Sequence, residues 1–453
     1  MQMDRRAKPD RSVGPHFDHV TRAGKDARVP EKAMNVSEKV QALQAALSRA
    51  AKRSPRRRFG ALYDKLYRPD VLMAAWKAVR ANKGGPGSDE ESIAYIETEI
   101  GVEAFLQGIG SDLRAQRYRP KAVKRCWIPK PGKPEKRPLG IPVIRDRVVQ
   151  AACKLVIEPI FETNFLACSY GFRPKRSAHM AIRQIQGAIT FAKQTQVIDA
   201  DISGFFDNVR QSTLLKLVAR RISDPRVLKL IRGWLQAGVM EDGKYHASEG
   251  LGTPQGGVIS PLLANIYLHS FDMMFRESGI PATLVRYADD LVILLWSNAR
   301  KVLEAVQRML ARLGLTLNAA KTRIVSALDG FDFLGVHFRL CATHKRDAKL
   351  SRICRVWPSD RSMTRIRQRV RDVIGRRYSL SAEELIEELN PVLRGWHGYH
   401  AAVKPDRRRF LALRHFVENR LRIFLRRKYN DDTRGHRRVR GHRVAALGLY
   451  QFA

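Results

Sequence analysis

Two adjacent carboxylates, Asp289 and Asp290, are the residues of this chain with the most evident chemistry. They follow Tyr287 and Ala288 and lie between two apolar runs of β-branched and aliphatic residues. This pattern predicts a strand–turn–strand hairpin with the carboxylates at its tip. Adjacent carboxylates repel each other and resist ionisation unless a cation lies between them. The hairpin therefore predicts a divalent-metal site, and an ordinary Asp-rich turn is the alternative.

A second carboxylate segment precedes the hairpin. Residues 196–207 begin as an apolar strand, end in Asp and Gly, and include Asp201. Two strands from distant parts of a chain can bring their Asp residues to one pair of metal ions. In nucleotidyl transfer, two metals about 3.5–4 Å apart activate the attacking 3′-hydroxyl and stabilise the leaving pyrophosphate. Asp199 and Asp207 flank the same strand, and alternation puts Asp199 on the face of Asp201.

A third segment, 252–263, lies between the two carboxylate segments. It begins as a Gly- and Pro-containing loop with Gln255 and continues into an apolar helix. Its glycines allow backbone to approach a ligand closely, and the Gln255 amide can hydrogen-bond one. In this order the three segments closely resemble the polymerase motifs of reverse transcriptases, above all those encoded by bacterial group II introns.

The resemblance implies an α/β (α+β) right-hand polymerase with fingers, a palm on an antiparallel sheet, an all-helical thumb and a basic helical C-terminal region. It implies RNA-directed DNA synthesis, in which a primer 3′-hydroxyl attacks a dNTP with two Mg²⁺ ions bound, or Mn²⁺ in their place. By motif match, the metal ligands would be Asp201, the backbone carbonyl of Ile202, Asp289 and Asp290. Because these carboxylates would otherwise repel one another, a bound cation is expected.

The resemblance assigns further residues to the incoming nucleotide. Phe206, five residues after Asp201, would clash with a ribose 2′-hydroxyl and so select dNTPs. RNA-dependent RNA polymerases usually carry a small or polar residue at this position. Alternation directs either Phe205 or Phe206 into the core, which is the alternative role for Phe206. Gln255 would pack against the incoming nucleotide or the templating base.

Residues 127–142 look like a hairpin with a basic tip rich in Pro and Gly. Cations on a hairpin that folds over a triphosphate would neutralise the charge developing on it. In the family, one Lys and one Arg of the fingers hairpin do this. Lys130 and Arg137 best fit those positions, although Lys133 and Lys136 compete, and a solvated charged turn is the alternative.

Other matched motifs concern the primer and the template. The residues assigned to the primer are Tyr287, Ala288, Phe333, Leu334 and Gly335. The last three match the primer grip, where glycine allows backbone to approach primer phosphates closely. Arg173 belongs to a motif expected in the fingers near the template. The Gly-rich loop 82–89 matches an N-terminal extension motif that contacts template.

Lys321 lies in a segment that resembles the one whose lysine protonates the pyrophosphate leaving group. A general acid typically contributes about 10²–10⁴-fold in rate. A surface lysine that contacts phosphate is the alternative.

The C-terminal third combines helical patterns with a second family motif. Residues 381–384 form a capping box that predicts the start of a helix. Asn390 and Pro391 predict the start of a second helix, with Asn as its N-cap and Pro at its first position. The same stretch matches the maturase-type thumb, which grips intron RNA and the template–primer duplex. Arg394 and Trp396 would be its RNA-binding residues.

Residues 407–429 predict a basic amphipathic helix, for which a membrane surface is the alternative partner to nucleic acid. The arginines beyond it are Arg434, Arg437, Arg438, Arg440 and Arg443. This tail resembles the small DNA-binding domain of intron-encoded proteins. We expect no Cys/His-bearing endonuclease domain of the kind that many relatives carry after this tail, and hence no cutting of the second target strand. We therefore expect priming from a nick or from a nascent strand at a replication fork.

The charge of the chain is strongly positive, with 83 Lys and Arg against 44 Asp and Glu, a formal net charge of +39. Such a charge favours polyanion binding with strongly salt-dependent affinity. A ribosomal-type structural protein and a membrane-surface protein are the alternatives. No apolar run approaches the roughly 18 residues of a membrane span. The five cysteines form no CxxC pair, which favours a reducing cytoplasm over a zinc module.

The expected organisation has five parts. These are a disordered basic tail at 1–36, an N-terminal extension and fingers at 37–195, a palm with the active site at 196–345, a thumb at 346–405, and a DNA-binding region at 406–453. The predicted task is group II intron splicing and retrohoming in a bacterial cytoplasm. Its partners would be intron RNA, an RNA template/DNA primer duplex, target DNA and dNTPs, with no membrane and an open oligomeric state. The alternatives are a domesticated relative in phage defence, DNA repair or CRISPR spacer acquisition, and a non-catalytic RNA-binding splicing factor.

Overall fold

Both carboxylate segments lie in one sheet of the computed structural model. The structure describes residues 35–129, 135–344, 350–403, 407–430 and 447–452, without the side chains of 343, 344, 350 and 351. The N-terminal stretch 1–34, most of the predicted tail, lies outside these residues, and Val36 begins a compact unit that the chain forms from there on.

The strands form three sheets. Their bounds are β1 Val123–Pro129, β2 Lys136–Ile141, β3 Gln196–Asp201, β4 Val239–Glu241, β5 Lys244–His246, β6 Ala282–Tyr287, β7 Asp290–Leu295, β8 Arg323–Ser326, β9 Phe331–Phe333, β10 Val336–His344 and β11 Leu350–Pro358. The central sheet has the order β6-β7-β3-β8 and is antiparallel throughout. A second sheet has the order β2-β1-β4-β5, and a third has the order β11-β10-β9.

Helices account for most of the remaining described residues. Their bounds are α1 Val36–Arg53, α2 Tyr63–Leu66, α3 Pro69–Ala81, α4 Ile93–Tyr95 with a π-helical turn Ile96–Ile100, α5 Val102–Arg114, α6 Ile144–Glu162, α7 Ala178–Thr190, α8 Phe205–Asn208, α9 Gln211–Ala219, α10 Pro225–Gln236, α11 Ser260–Glu277, α12 Ala299–Arg312, α13 Asp360–Ile374, α14 Ala382–Ala401 and α15 Arg408–Tyr429. None of the described helices combines the length and apolar character needed to cross a bilayer.

The apolar sequence of β7 follows from its position between two hydrophobic cores. Successive strand residues point to opposite faces of a sheet. Leu291, Ile293 and Leu295 accordingly lie in the larger core with α11 and α6. Val292 and Leu294 lie in a second core with α7 and the third sheet. A strand buried on both faces has no polar alternation, which is why its residues form a continuous aliphatic run.

The C-terminal helices α13, α14 and α15 enclose a third core. The predicted amphipathic helix is confirmed, because Phe410, Leu413 and Val417 of α15 are buried. The capping box is also confirmed: Ser381 accepts from the backbone of Glu384, whose side chain accepts from the backbone of Ser381.

The predicted helix start at Asn390 and Pro391 is wrong, because α14 runs through both residues. Pro391 removes one backbone hydrogen bond from the helix interior. The helix nevertheless continues, since Leu389 and Leu393 on either side of the proline are fully buried on one face. The Asn390 side chain does not cap a helix. It donates to the carbonyl of Gly448 and accepts from the backbone of residue 450, each at 2.8 Å.

Candidate active site

The predicted carboxylate hairpin is confirmed as the connection of β6 to β7. Tyr287 lies opposite Asp290, so Ala288 and Asp289 form a two-residue turn. Ala288 has a φ of 57°, in the left-handed region that favours glycine. The backbone at the hairpin tip is therefore strained, and neighbouring residues must hold it in place.

Asp201 and Asp290 are brought together by strand pairing. Asp201 is the last residue of β3 and lies directly opposite Asp290, the first residue of β7. Although Asp290 keeps solvent contact, partial desolvation and then the charges of Asp289 and Asp201 raise its pKa to about 7. Desolvation likewise raises the pKa of Asp199 to about 6 and that of Asp289 above its usual range. The cluster therefore has an excess of negative charge that a cation would relieve.

Lys321 supplies one positive charge to this cluster. Its Nζ lies 2.7 Å from Asp201 Oδ2. Pairing of the chain before β8 with the end of β3 brings the lysine here. Asn318 donates its backbone N–H to the Asp201 carbonyl at 2.8 Å, and Ser203 donates to the Thr316 carbonyl at 2.9 Å.

The same pairing orients the backbone of Ile202. Ile202 lies opposite Leu317, between the two hydrogen bonds that join these segments. In an antiparallel pair, a residue at such a position directs its own N–H and C=O away from its partner. The Ile202 carbonyl therefore points toward the β7 side of β3, where Asp290 begins the strand.

The donor chemistry at this edge fits a hard divalent cation. Asp201, Asp289 and Asp290 offer carboxylate oxygens and Ile202 offers a carbonyl, the ligand type that Mg²⁺ prefers. As the side chains stand, no group of three or more His, Cys, Asp or Glu in the described ranges is arranged to hold a metal. The Asp201 carboxylate is instead directed to Lys321. The oxygen ligands therefore suit Mg²⁺, whereas the side-chain arrangement is that of a site in which Lys321 neutralises Asp201.

Phe205 and Phe206 belong to the short helix α8. Phe205 is 2% exposed within the main core, whereas Phe206 is half-buried. The two rings contact edge to face, with centroids 5.2 Å apart. The prediction that one of the pair enters the core is confirmed, although a helix and not strand alternation directs it there. The Phe206 carbonyl accepts from the Thr253 backbone at 2.8 Å, which fixes its position relative to the loop before α11.

That loop also contacts β2. The Gln255 carbonyl accepts from the Gly140 backbone at 2.6 Å, and its side-chain amide lies 3.4 Å from Asp207 Oδ1. A Cβ on Gly256 would lie 2.5 Å from the Gly140 carbonyl oxygen, so only glycine permits this approach. Gln255 is thus held between the β1–β2 hairpin and α8, beside Phe206.

The predicted basic hairpin is confirmed, with β1 paired to β2 and Arg137 opposite Ile128. The charge of Arg137 acts on Asp289, where it opposes the rise in pKa that burial causes. Lys136 is exposed at the start of β2. Lys130 and Lys133 lie outside the described residues.

Arg173 is placed as a scaffold residue. It is 8% exposed, and its guanidinium donates to Glu162 and to the carbonyls of Leu166 and Ser169 at 2.6–3.1 Å. These donors are therefore committed within the protein. The chain that Arg173 braces runs beside β6, where the backbone N–H of Tyr170 donates to the Arg286 carbonyl at 2.8 Å.

The predicted primer-grip residues form a turn between β9 and β10. Phe333 lies opposite Val336, which leaves Leu334 and Gly335 as the connecting pair. Their φ angles are 49° and 76°. Phe333 is buried and Leu334 packs against the second core, so this turn is anchored from its inner side.

The two predicted RNA-binding residues of α14 differ in position. Arg394 is exposed, with its guanidinium 5.9 Å from the ring centroid of Tyr450. Trp396 is half-buried, and its indole N–H donates to Ser362 Oγ of α13 at 3.0 Å. Trp396 therefore contributes to helix packing. The arginines predicted for the tail, Arg434 to Arg443, lie outside the described residues.

A buried ion pair behind the hairpin tip was not predicted. Arg286 is fully buried, and its guanidinium donates to both oxygens of Asp272 at 2.6 and 2.8 Å. It also donates to Asn265 Oδ1 at 3.0 Å and to the Ala288 carbonyl at 3.1 Å. Asn265 in turn donates to the Gly171 carbonyl at 2.9 Å. A charged residue inside the apolar strand β6 was the available signal in the sequence.

Two protein families match this chain. Residues 128–338 match the family described as reverse transcriptase (RNA-dependent DNA polymerase), and residues 363–442 match the family described as group II intron, maturase-specific domain. The first match begins at the end of β1 and contains β2 and the carboxylate cluster. The second contains most of α13 and all of α14 and α15.

Among similar proteins, protein YkfC of Escherichia coli is 35% identical over 334 residues, which is 65% of this chain and 86% of that protein. The group II intron-encoded protein LtrA of Lactococcus lactis is 38% identical over 217 residues, 47% of this chain and 35% of LtrA. An uncharacterized protein in the cob intron of Schizosaccharomyces pombe is 26% identical, over 78% of this chain and 52% of its own length.

Proposed function

Since the chain belongs to the reverse transcriptases and maturases encoded by group II introns, we propose that it copies RNA into DNA by two-metal nucleotidyl transfer and assists splicing of its intron RNA. The observation that carries this proposal is the pairing of Asp201 with Asp290 next to Asp289, inside the reverse transcriptase match. An ordinary Asp-rich turn would not require a third carboxylate from a distant strand.

Divalent metal ions, when bound, would lower the pKa of the primer 3′-hydroxyl and stabilise the charge of the departing pyrophosphate. Asp201, Asp289 and Asp290 would hold two Mg²⁺ ions, or Mn²⁺, together with the Ile202 carbonyl. Binding would require the Asp201 carboxylate to turn from Lys321. The ammonium of Lys321 would then be free to donate a proton to the pyrophosphate oxygen.

The incoming dNTP would lie between the β1–β2 hairpin and the carboxylate cluster. Arg137, whose charge already acts on Asp289, would bind the triphosphate, and Lys130 would be its partner. Half-buried Phe206, held through its carbonyl by Thr253, would exclude a ribose 2′-hydroxyl. Gln255 beside it would contact the nucleotide or the templating base.

The nucleic-acid partners follow from the two matched families. Reverse transcriptase and maturase-specific domains act on nucleic acid, and the net charge of +39 favours a polyanion. We place the primer at Tyr287, Ala288 and the Leu334–Gly335 turn, intron RNA at exposed Arg394, and target DNA at the C-terminal arginines. The bacterial relatives support action in a bacterial cytoplasm.

Primer extension on an RNA template tests the enzyme directly. The purified protein should extend a DNA primer with dNTPs and Mg²⁺, and Asp289→Ala should abolish extension. Asp329→Ala, at an exposed residue, is the matched control and should retain the parent rate. Failure of the parent protein to extend the primer would contradict the proposal and leave an RNA-binding splicing factor.

Sequencing the RNA that co-purifies from the native host tests the maturase role. Enrichment of one structured intron containing this reading frame would support that role. Recovery of mixed cellular RNA, or of a dedicated RNA that is not an intron, would contradict it and favour a domesticated reverse transcriptase.

A further inference from the structure

The turn between β9 and β10 has a backbone conformation that its sequence disfavours. Leu334 and Gly335 both have positive φ, as in a two-residue type I′ hairpin turn. Glycine adopts this conformation readily, and Asn is the usual first residue of such a turn. Leucine is disfavoured there because its Cβ approaches the following carbonyl oxygen. Contacts from outside the turn must therefore hold Leu334.

Both carbonyl groups of this turn accept hydrogen bonds from the C-terminal helices. Tyr399 of α14 donates its hydroxyl to the Leu334 carbonyl at 2.8 Å. Ser359, the N-cap of α13, donates its backbone N–H to the Gly335 carbonyl at 3.0 Å. The Ser359 bond is local, since β10 pairs with the strand β11 that ends just before it. The Tyr399 bond comes from a separate helix.

The position of Tyr399 is itself fixed on two sides. Its backbone carbonyl accepts from His179 Nε2 of α7 at 2.6 Å, and the two rings lie 4.9 Å apart. On neighbouring positions of α14, Trp396 and His400 both bond to Ser362 Oγ at 3.0 Å. The hydroxyl of Tyr399 is thus presented to Leu334 by a helix attached to both α7 and α13.

Tyr399 also lies near the carboxylate hairpin. Burial, and then the nearby hydroxyl of Tyr287, raise the pKa of Tyr399 to about 12. Tyr287, Leu334 and Tyr399 all pack against the second core. Tyr399 of α14 is therefore bonded to the β9–β10 turn and packs against the same core as Tyr287, the last residue of β6 before Asp289 and Asp290.

We propose that Tyr399 is a positioning residue for DNA synthesis: its hydroxyl holds the strained Leu334–Gly335 turn at a fixed place relative to the Tyr287–Asp290 hairpin. The turn then determines the position of the primer 3′ end relative to the carboxylates. The inference rests on the proposed function, since the primer is assigned to this turn there. Because α14 lies within the maturase-specific match, the same hydrogen bond connects that domain to the turn that positions the primer.

Tyr399→Phe tests the inference, because it keeps the ring and removes only the hydroxyl. Loss of one neutral hydrogen bond should raise the KM for primer–template about 3- to 10-fold. The KM for dNTP should stay unchanged, because the hydroxyl of Tyr399 donates to the turn assigned to the primer. Tyr378→Phe is the matched control, since Tyr378 stacks on Phe424 with ring centroids 5.5 Å apart in the third core. It should leave both KM values unchanged.

A second substitution distinguishes positioning from general loss of structure. Leu334→Asn gives the Asn-Gly pair that type I′ turns favour. The turn conformation would then depend less on the hydrogen bond from Tyr399. In the Tyr399→Phe background this substitution should restore part of the lost primer–template affinity. An unchanged KM for primer–template in Tyr399→Phe, or no recovery in the double variant, overturns the inference.

A readout without catalysis separates this inference from the proposed function. Hydrogen exchange at the amides of residues 334–336 should accelerate in Tyr399→Phe and not in Tyr378→Phe. Exchange that remains at the parent rate overturns the positioning role, even if the protein is an active polymerase. If the parent extends no primer, the proposed function fails. Faster exchange in Tyr399→Phe would still show that the Tyr399 hydroxyl holds the Leu334–Gly335 turn.

Discussion

Lys321 and Asp201 form an ion pair at the centre of the carboxylate cluster, with Nζ and Oδ2 2.7 Å apart. The two side chains are 53% and 22% exposed, so water and ions reach both. An ion pair this exposed is weak, and a divalent cation can displace the lysine. The pair thus joins the proposed proton donor to a proposed metal ligand, and metal binding would release the donor.

Replacement of Lys321 tests this exchange. Lys321→Met should slow single-nucleotide addition by about 100-fold or more if the lysine is the general acid. It should also lower the Mg²⁺ concentration needed for half-maximal rate, because no ammonium competes for Asp201. Lys321→Arg should remain slow, since a guanidinium does not give up its proton. The measurement is single-turnover extension across a Mg²⁺ titration.

Lys301→Met, at an exposed position of α12, serves as the control for Lys321 and should behave like the parent. A Lys321→Met variant with the parent rate would show that this lysine is only a surface cation.

Replacement of Phe206 tests selection against ribonucleotides. Phe206→Ala should raise rNTP incorporation relative to dNTP, because the smaller side chain leaves room for a 2′-hydroxyl. Competitive incorporation on one RNA template measures the ratio. Phe191→Ala, at a residue 84% exposed, is the control and should leave the ratio unchanged. Unchanged discrimination in Phe206→Ala would remove this residue from the role of gate.

The buried Arg286–Asp272 pair should dominate the stability of the hairpin tip. Asp272→Asn leaves a buried guanidinium without its counter-charge, and such losses typically destabilise a protein by about 3–5 kcal/mol. Urea unfolding of the parent and the variant measures the difference. Asp329→Ala, at an exposed aspartate, should change stability little. A loss under about 1 kcal/mol for Asp272→Asn would argue against the pair as the anchor of Ala288.

Acid should destabilise the C-terminal helices through His400. Burial, and then the charges of His179 and His397, lower the pKa of His400 from 6.5 to about 4. The folded state therefore binds fewer protons than the unfolded state, and stability falls as the pH drops from 6.5 toward 4. The contribution of His400 to stability should fall by about 2 kcal/mol between pH 7 and pH 5. Urea unfolding of the parent and of His400→Gln at both pH values measures this contribution as the difference between the two proteins.

His400→Gln should show a smaller loss between those two pH values, because glutamine does not titrate. A variant with the same pH dependence as the parent would assign the acid sensitivity to other groups. Asp146, Asp199 and Asp290 act in the opposite direction: burial raises the pKa of the first two to about 6 and that of Asp290 to about 7, so their protonation stabilises the folded state in acid. Comparison with His400→Gln cancels these carboxyl contributions, because both proteins share them.

Local patterns in the sequence predicted local structure well. The β6–β7 and β1–β2 hairpins, the start of α14 and the apolar face of α15 all follow from periodicity and turn residues. The prediction of a helix start at Asn390 and Pro391 was wrong because burial of the leucines on both sides of Pro391 outweighs the local helix-start signal. Trp396 is an aromatic residue of the kind expected to contact nucleic acid, but its indole N–H donates to the Ser362 hydroxyl of α13.

Long-range relationships could not be predicted from those patterns. The motif match indicated that Asp201 and Asp290 converge, but only the strand register shows that they are direct partners. The bonds of Arg286 to Asp272 and of Tyr399 to Leu334 join distant parts of the chain. Nothing in the local sequence around Tyr399 indicates a bond to residue 334.

The position of β3 between β7 and β8 has a consequence for the growing chain. Both neighbours of β3 follow it in the sequence, so on the ribosome Asp201 emerges on a strand with neither of its partners. At about 5–20 residues translated per second, the wait for Asp290 lasts on the order of ten seconds. Premature termination before β7 would yield a product with a complete β1–β2 hairpin and no catalytic centre. A protein with polymerase activity must therefore have been translated at least through β7.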